Sequence, residues 1–293
     1  MSHRLYDYSP IVEREPPSFP DGARIAFYVG LNIEHYRVGM PSTSLQPSNG
    51  SFIPDPLNYG WRDYGPRVGI WRMIELFDEV GIRPSAIVNS DVCRAYPQIV
   101  RAGIDREWDW VAHGQSNSIL QNHLAPGSEA AYLDEMLHVF DSELPRRPTG
   151  WLGPALTETF LTPGLLRERS FTYLLDWCCD DQPFDLNVEG LVSVPYSLEI
   201  NDIPLFVGKN TTGSMYTEIV LGQLEQLLQE GGAVMALPVH PFVVGQPFRF
   251  KYFAEVIRQV AATPEVWLTT STEIADRYLA GRSATEPDRE AQR

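Results

Sequence analysis

The stretch Trp108-Asp109-Trp110-Val111-Ala112-His113-Gly114-Gln115-Ser116-Asn117-Ser118 decides how this chain is read. An apolar run of strand length ends at Ala112, and His113 stands where it gives way to a polar turn. Four residues on, Asn117 occupies the place where a second histidine would complete an H-x-x-x-H pair. That spacing can set two side chains on one metal ion. The same arrangement, an apolar run followed by polar residues, recurs along the chain. Asn32 and Glu34 follow the run 24–31, Asn89 and Asp91 follow 85–88, and His240 follows 233–238. Further strands are expected at 149–152, 173–176, 191–195 and 266–270.

Between these runs the apolar spacing turns helical. In 68–80 it picks out Ile70, Trp71, Ile74, Leu76 and Phe77, and Gly81 supplies a stop. Helices are also expected at 96–102, 129–143, 162–169, 215–230 and 250–262. Strand–helix alternation predicts parallel strands with covering helices, either a barrel or an open doubly wound sheet. In a barrel the active site lies at the carboxyl ends of the strands, where these polar residues fall. The Pro/Gly/Ser-rich segment 39–65 is too long for a connector and reads as a functional loop near an opening. The expected organisation is an extended arm over 1–23, one domain over 24–280, and a polar tail over 281–293.

The 293 residues suit one large domain, and 43% hydrophobic residues are enough for a substantial core. Thirty-eight acidic against 23 basic residues give a net charge of −15, which argues against nucleic acid and anionic membranes as partners. No apolar run reaches membrane-span length, and the N-terminus lacks the apolar core of a signal peptide. Three cysteines, two of them adjacent, fit a reduced, cytoplasmic setting.

The strand-end residues together resemble the polysaccharide deacetylase superfamily, over about Tyr6 to Tyr278. The similarity is greatest to its branch of cofactor-independent allantoinases and related amide hydrolases. It rests on the segment 24–34, on Tyr64-Gly65-Pro66-Arg67-Val68-Gly69-Ile70-Trp71-Arg72, on Val111-Ala112-His113-Gly114, and on Pro148-Thr149-Gly150-Trp151. Asp176-Trp177-Cys178-Cys179-Asp180-Asp181-Gln182-Pro183, the segment 194–202, Leu237-Pro238-Val239-His240-Pro241 and 245–249 complete it. The resemblance implies an α/β fold, a distorted (β/α) barrel in a single domain, and a homo-oligomer. The chain departs from the metal-dependent members at two places. Asn32 stands where an aspartate base is usual, and Asn117 replaces a metal histidine. The allantoinase branch, regarded as metal-independent, shares both features.

The expected catalytic residues are therefore Glu34, His240 and Asn32. His240 would protonate the leaving group, since imidazole titrates near neutrality. Glu34 or a nearby carboxylate would help deprotonate water, and Asn32, His113 or a metal would stabilise the oxyanion. His113, Asn117, Arg67, Trp151, Asp176 and Asp181 are expected to bind substrate, with Trp71 beside them and Asp176, Asp180 or Asp181 orienting His240. Glu34 and His113 could hold zinc, with His35 or Asp91 as a third donor that the spacing does not require; two good donors fall short of the three that zinc generally takes, so no cofactor is expected ahead of one weakly bound zinc ion. The function expected is hydrolysis of a non-peptide C–N bond in a small amide, cyclic amide or N-acyl compound. Its rivals are a metal-dependent carbohydrate N-deacetylase and a non-catalytic binding protein.

Overall fold

In the computed structural model, residues 5–40 and 44–285 are described. The order β6-β7-β5-β4-β3-β2-β1-β8 forms one curved sheet, and β9 is paired to β1. The strands are β1 (Ile25–Ile33), β2 (Ser85–Val88), β3 (Asp109–Ala112), β4 (Gly150–Trp151), β5 (Tyr173–Leu174), β6 (Phe184–Asp185), β7 (Val192–Ser193), β8 (Ala233–Val239) and β9 (Val266–Leu268). Every pairing is parallel except β6 with β7. Along one edge of β1, β2 pairs with the upper half (Gly30 to Ile33) and β9 with the lower half (Ile25 to Phe27). The sheet is a half-barrel whose open seam lies between its edge strands, β6 and β8. The 176–182 segment crosses that seam, with the amide of Val234 donating to the Asp181 carbonyl at 2.8 Å.

Side chains alternate along a strand, and that alternation builds two cores. The odd residues of β1, from Ile25 to Ile33, pack outward against α2 (Ile70–Val80) through Ile70, Met73, Ile74 and Phe77. The even residues Ala26 and Tyr28 point into the barrel, where they meet Ile87, Val111, Tyr173, Val192, Val234 and Ala236. Continued upward, the even face carries Asn32 and Glu34 to the barrel mouth. The same count places His113 two residues above Val111, and His240 four above Ala236.

The helices expected from periodicity are present. They are α2, α4 (Pro97–Ile104), α5 (Glu129–Glu143), α6 (Thr162–Glu168), α7 (Gly213–Glu230) and α8 (Pro247–Ala261). Three further helices were not expected. The first, α1 (Pro56–Tyr64), lies inside the 39–65 segment, where Asp55 caps it by accepting from the amide of Asn58 and Pro56 opens it. A short α3 (Ser90–Ala95) follows β2.

The third, α9 (Ser271–Thr285), extends past the expected domain end at 280. Its first turn is fixed by Asp109, whose carboxylate accepts from the Thr272 hydroxyl at 2.6 Å and from the Thr272 amide at 3.3 Å. A carboxylate at a helix start is favoured by the unsatisfied amides there. Residues 286–293 of the expected tail lie outside the described residues, as do 1–4 of the expected arm. Residues 5–23 of that arm run largely extended with two short 3-10 turns, and Arg14 pairs with Asp180 at 2.8 Å.

One contact couples this frame to the site. Gly69 ends a π-helical turn (Gly65–Gly69) that presses on the loop after His240. A Cβ there would stand 1.9 Å from the Pro241 carbonyl oxygen, a backbone atom with no freedom to withdraw. Gly69→Ala is expected to destabilise the fold by about 3 kcal/mol, the upper end for overpacking. Thermal denaturation followed by circular dichroism would register this as a Tm lowered by several degrees.

Candidate active site

Glu34, His113 and His240 converge at the barrel mouth although they are distant in sequence. Glu34 Oε1 lies 3.6 Å from His113 Nε2 and 3.5 Å from His240 Nε2. The three side chains are only 5%, 2% and 6% exposed. Burial alone would push the Glu34 carboxyl up. The charge of His240 and the contacts with both imidazoles outweigh it and hold Glu34 well below the usual carboxylate range. Glu34 is therefore a permanent anion.

His240 is built for the opposite charge. Its Nδ1 faces Asp202 Oδ1 at 2.6 Å, and its backbone amide donates to Asp202 Oδ2 at 2.7 Å. Asp202 is fully buried. Burial acts to lower the imidazole, but Asp202 first and Glu34 second overcome it and push His240 up to about 10. The ring carries a proton at neutral pH, with Nε2–H turned toward Glu34.

The orientation of the remaining groups follows from backbone atoms, whose roles are fixed. His113 Nδ1 lies 2.7 Å from the Leu152 carbonyl, which can only accept, so Nδ1 bears the hydrogen. In the neutral ring the Nε2 lone pair then faces the site, where no donor among the described residues completes a hydrogen bond to it. Asn89 accepts from the His35 amide at 2.7 Å and donates to the His113 carbonyl, which fixes its amide. Its N–H also reaches Asn117 Oδ1 at 2.9 Å. Asn117 must then present its own N–H to Glu34 Oε1, as it does. Gly114 makes the turn between these residues, with φ +65°.

A cover closes over the group. The Tyr36 hydroxyl donates to Glu34 Oε2. Phe242 lies against His240, Tyr36 and Trp61, with ring centroids 5.5, 6.4 and 4.9 Å apart. The Arg62 guanidinium sits 4.4 Å above the Tyr36 ring. Trp61 and Arg62 both come from α1, so the expected loop near an opening contributes a helix that lies over the site. Tyr36→Phe is expected to lower kcat/KM by about ten-fold or more. That corresponds to the ~1.5–3 kcal/mol of a hydrogen bond to a charged group, and steady-state kinetics on a small amide substrate would measure it.

The other expected site residues lie apart from this group. Arg67 is 74% exposed and turns toward Asp63 at 3.8 Å. With Trp71 it lines an outer groove of about 370 Å³ formed also by Tyr96 and Ile99. Asp181 is exposed, and its carbonyl pairs with Val234 near the amino end of β8. His240 lies six residues on, about 20 Å along the strand. Asp180 is taken by Arg14.

Trp151 and Asp176 are interior. Trp151 packs edge-on against Phe171, and Asp176 accepts from the Gly153 amide at 2.8 Å. None of the three expected aspartates orients His240; Asp202 does. Asn32 is buried, and its amide donates to the Gly30 and Val239 carbonyls and to Tyr196 at 3.0–3.3 Å. Those bonds use its N–H groups to join β1 to β8, which leaves Asn32 as a strut beside Glu34 with no donor free for an oxyanion.

Against known structures the agreement is extensive. A PuuE allantoinase structure superposes with a TM-score of 0.81, covering 94% of this chain and 98% of its own at 24% identity. A Pseudomonas aeruginosa PAO1 protein carrying the name of a polysaccharide deacetylase also reaches 0.81, over 92% and 96% of the two chains at 21% identity. The chain has the polysaccharide deacetylase fold. A Schizosaccharomyces pombe protein of the same name is 22% identical over 241 residues, 74% of this chain and 75% of its own. No family model matches the sequence.

Metal-dependent chemistry on the deacetylase fold needs three protein donors and an open position. The groups here do not supply them. Asn117, at the place of the second histidine, presents N–H and no lone pair to Glu34, and His240 is held through Nδ1 by Asp202, which leaves Glu34 and His113 as the donors of that set. Among the described residues no three His, Cys, Asp or Glu side chains form a cation site.

Proposed function

We propose that this protein hydrolyses a C–N bond in a small amide, cyclic amide or N-acyl compound, using its own side chains. The observation that carries this reading is one permanent carboxylate oxygen placed 3.5–3.6 Å from the Nε2 atoms of two histidines whose Nδ1 partners differ, a backbone carbonyl for His113 and the Asp202 carboxylate for His240. Glu34 Oε1 and the His113 lone pair are two acceptors facing each other. A water molecule between them can donate one O–H to each. Its oxygen attacks the carbonyl carbon and its proton passes to His113 Nε2, while Glu34 balances the imidazolium that forms. The C–N bond breaks as His240 Nε2 hands its proton to the departing nitrogen, giving an acid and an amine, or one ring-opened product from a cyclic amide.

The buried, covered site supports a small substrate over a polymer, and the PuuE allantoinase likeness supports a cyclic one. A reduced, cytoplasmic protein fits the three free cysteines, and no helix among the described residues is long and apolar enough to cross a membrane. Exposed Phe52, Ile53 and Leu57 beside the cover support a homo-oligomer. The test is a hydrolysis panel of allantoin, hydantoins, cyclic imides and N-acetyl sugars. Turnover confined to the small amides is expected; turnover of N-acetyl sugars alone would reject the reading.

A further inference from the structure

Behind His113, on the side away from Glu34, lies a second set of ionisable groups that the reaction above does not use. Asp176, just past β5, stands against Glu158 from the loop that precedes α6. The Trp151 indole N–H adjoins Asp176 and the Trp177 indole N–H adjoins Glu158. Both Glu158 oxygens, Asp176 Oδ2 and both indole nitrogens are buried, and none completes a hydrogen bond with a group among the described residues. The other ionisable groups nearby are Glu129, whose carboxylate accepts from the Thr159 and Thr162 hydroxyls, and Cys178 beside Asp176. Neither can neutralise the pair.

Two adjoining carboxylates cannot both stay ionised in such a place. Burial first, and each other second, push Asp176 well above the usual carboxylate range; burial pushes Glu158 up to about 7. A proton held between them supplies the hydrogen bond that Glu158 and Asp176 Oδ2 otherwise lack. The pair is also wired to the site. Asp176 Oδ1 accepts from the Gly153 amide at 2.8 Å, and the preceding residue, Leu152, offers the carbonyl that accepts from His113 Nδ1 at 2.7 Å.

We propose that Glu158 and Asp176 share a single proton and act as a positioning pair, fixing the Leu152–Gly153 turn that sets the tautomer and direction of the His113 ring. This rests on His113 working as described above. Loss of the shared proton sets two buried carboxylates against each other, loosens the turn and misdirects His113.

Glu158→Gln offers Asp176 an N–H at every pH and tests the idea. Between pH 5.5 and 9, wild-type kcat is expected to hold through about 7, where the first of the pair's two protons leaves Glu158, and to fall only above that as the shared proton on Asp176 is lost, with KM little changed. The Gln variant should stay within about threefold of the wild-type maximum across that interval. Independently of turnover, Glu158 carries a raised pKa in the fold. Its contribution to stability is fully present below its ordinary value of 4.5 and is lost as pH rises through about 7. The Tm of wild type should decline over that window and the decline should be absent in Glu158→Gln. On the alkaline side of that fall, the ¹⁵N imidazole signals of His113 should show the Nδ1–H tautomer in the variant and its loss in wild type. Asp176→Ala should cost at least ten-fold in kcat; if it does not fold, the Gln variant still decides. Equal decline of Tm through pH 7 in wild type and Glu158→Gln, or a wild-type His113 signal unchanged across the alkaline fall in kcat, overturns the proposal. An absence of turnover on any amide would count against the proposed function and leave these two readouts intact.

Discussion

Glu34→Gln is expected to abolish turnover, with kcat at least three orders of magnitude below wild type and the fold unchanged. The size follows from what the carboxylate does. It is the partner of both imidazoles and accepts from Asn117 and Tyr36. An amide of the same shape turns at most one oxygen to these groups and places an N–H against at least one of the donors. Proton transfer in a positioned site contributes roughly 10²–10⁴-fold, and loss of the anion also removes part of what keeps His240 charged. Steady-state rates with circular dichroism as a fold control would measure it. A variant that keeps a tenth of wild-type activity would remove Glu34 from the mechanism.

The second large effect belongs to Asp202, and it takes the form of a shift in pH. In the folded protein His240 is pushed up to about 10, most strongly among the raising groups by Asp202. In Asp202→Asn, burial regains the upper hand and His240 moves down toward or below its ordinary 6.5. The alkaline limb of kcat/KM should move down by two units or more, so that activity at pH 8 falls about 10–100-fold while activity near pH 6 is far less affected. Stability should respond with the same sign. A histidine whose pKa is raised by folding contributes stability that is full below 6.5 and lost as pH rises through about 10. Wild-type Tm should therefore fall between pH 7 and 10, and the variant should lack that decline. A limb left in place by Asp202→Asn would mean that His240 is not the acid.

The barrel was legible because its strands alternate with helices of clear period. The mouth residues were legible because each stands directly beyond an apolar run. Glu34, His113 and His240 carry that signal, and the structure brings them together. Asp202 carries no such signal. It opens a π-helical turn (Ile203–Gly208), with no preceding strand to place it, and reaches His240 only through the fold. Tyr36 could have been found, since it lies two residues beyond Glu34 on the same alternation. Arg67, Asp176 and Asp181 misled for a shared reason. A motif neighbour may face outward, as Arg67 does, face inward, as Asp176 does, or sit at the amino end of a strand, as Asp181 does, and local sequence does not distinguish these. Helix α1 was hidden by composition, because Pro and Gly around it suggest loop although Asp55 and Pro56 form a helix start.

The most direct test of the central claim is hydrolysis in ¹⁸O-labelled water by chelator-treated wild-type protein, offered hydantoins, cyclic imides and allantoin, with products read by mass spectrometry. The account predicts turnover of at least one of these compounds, one ¹⁸O in the new carboxylate, and an undiminished rate after chelation. Turnover that disappears on chelation and returns with added zinc would contradict it.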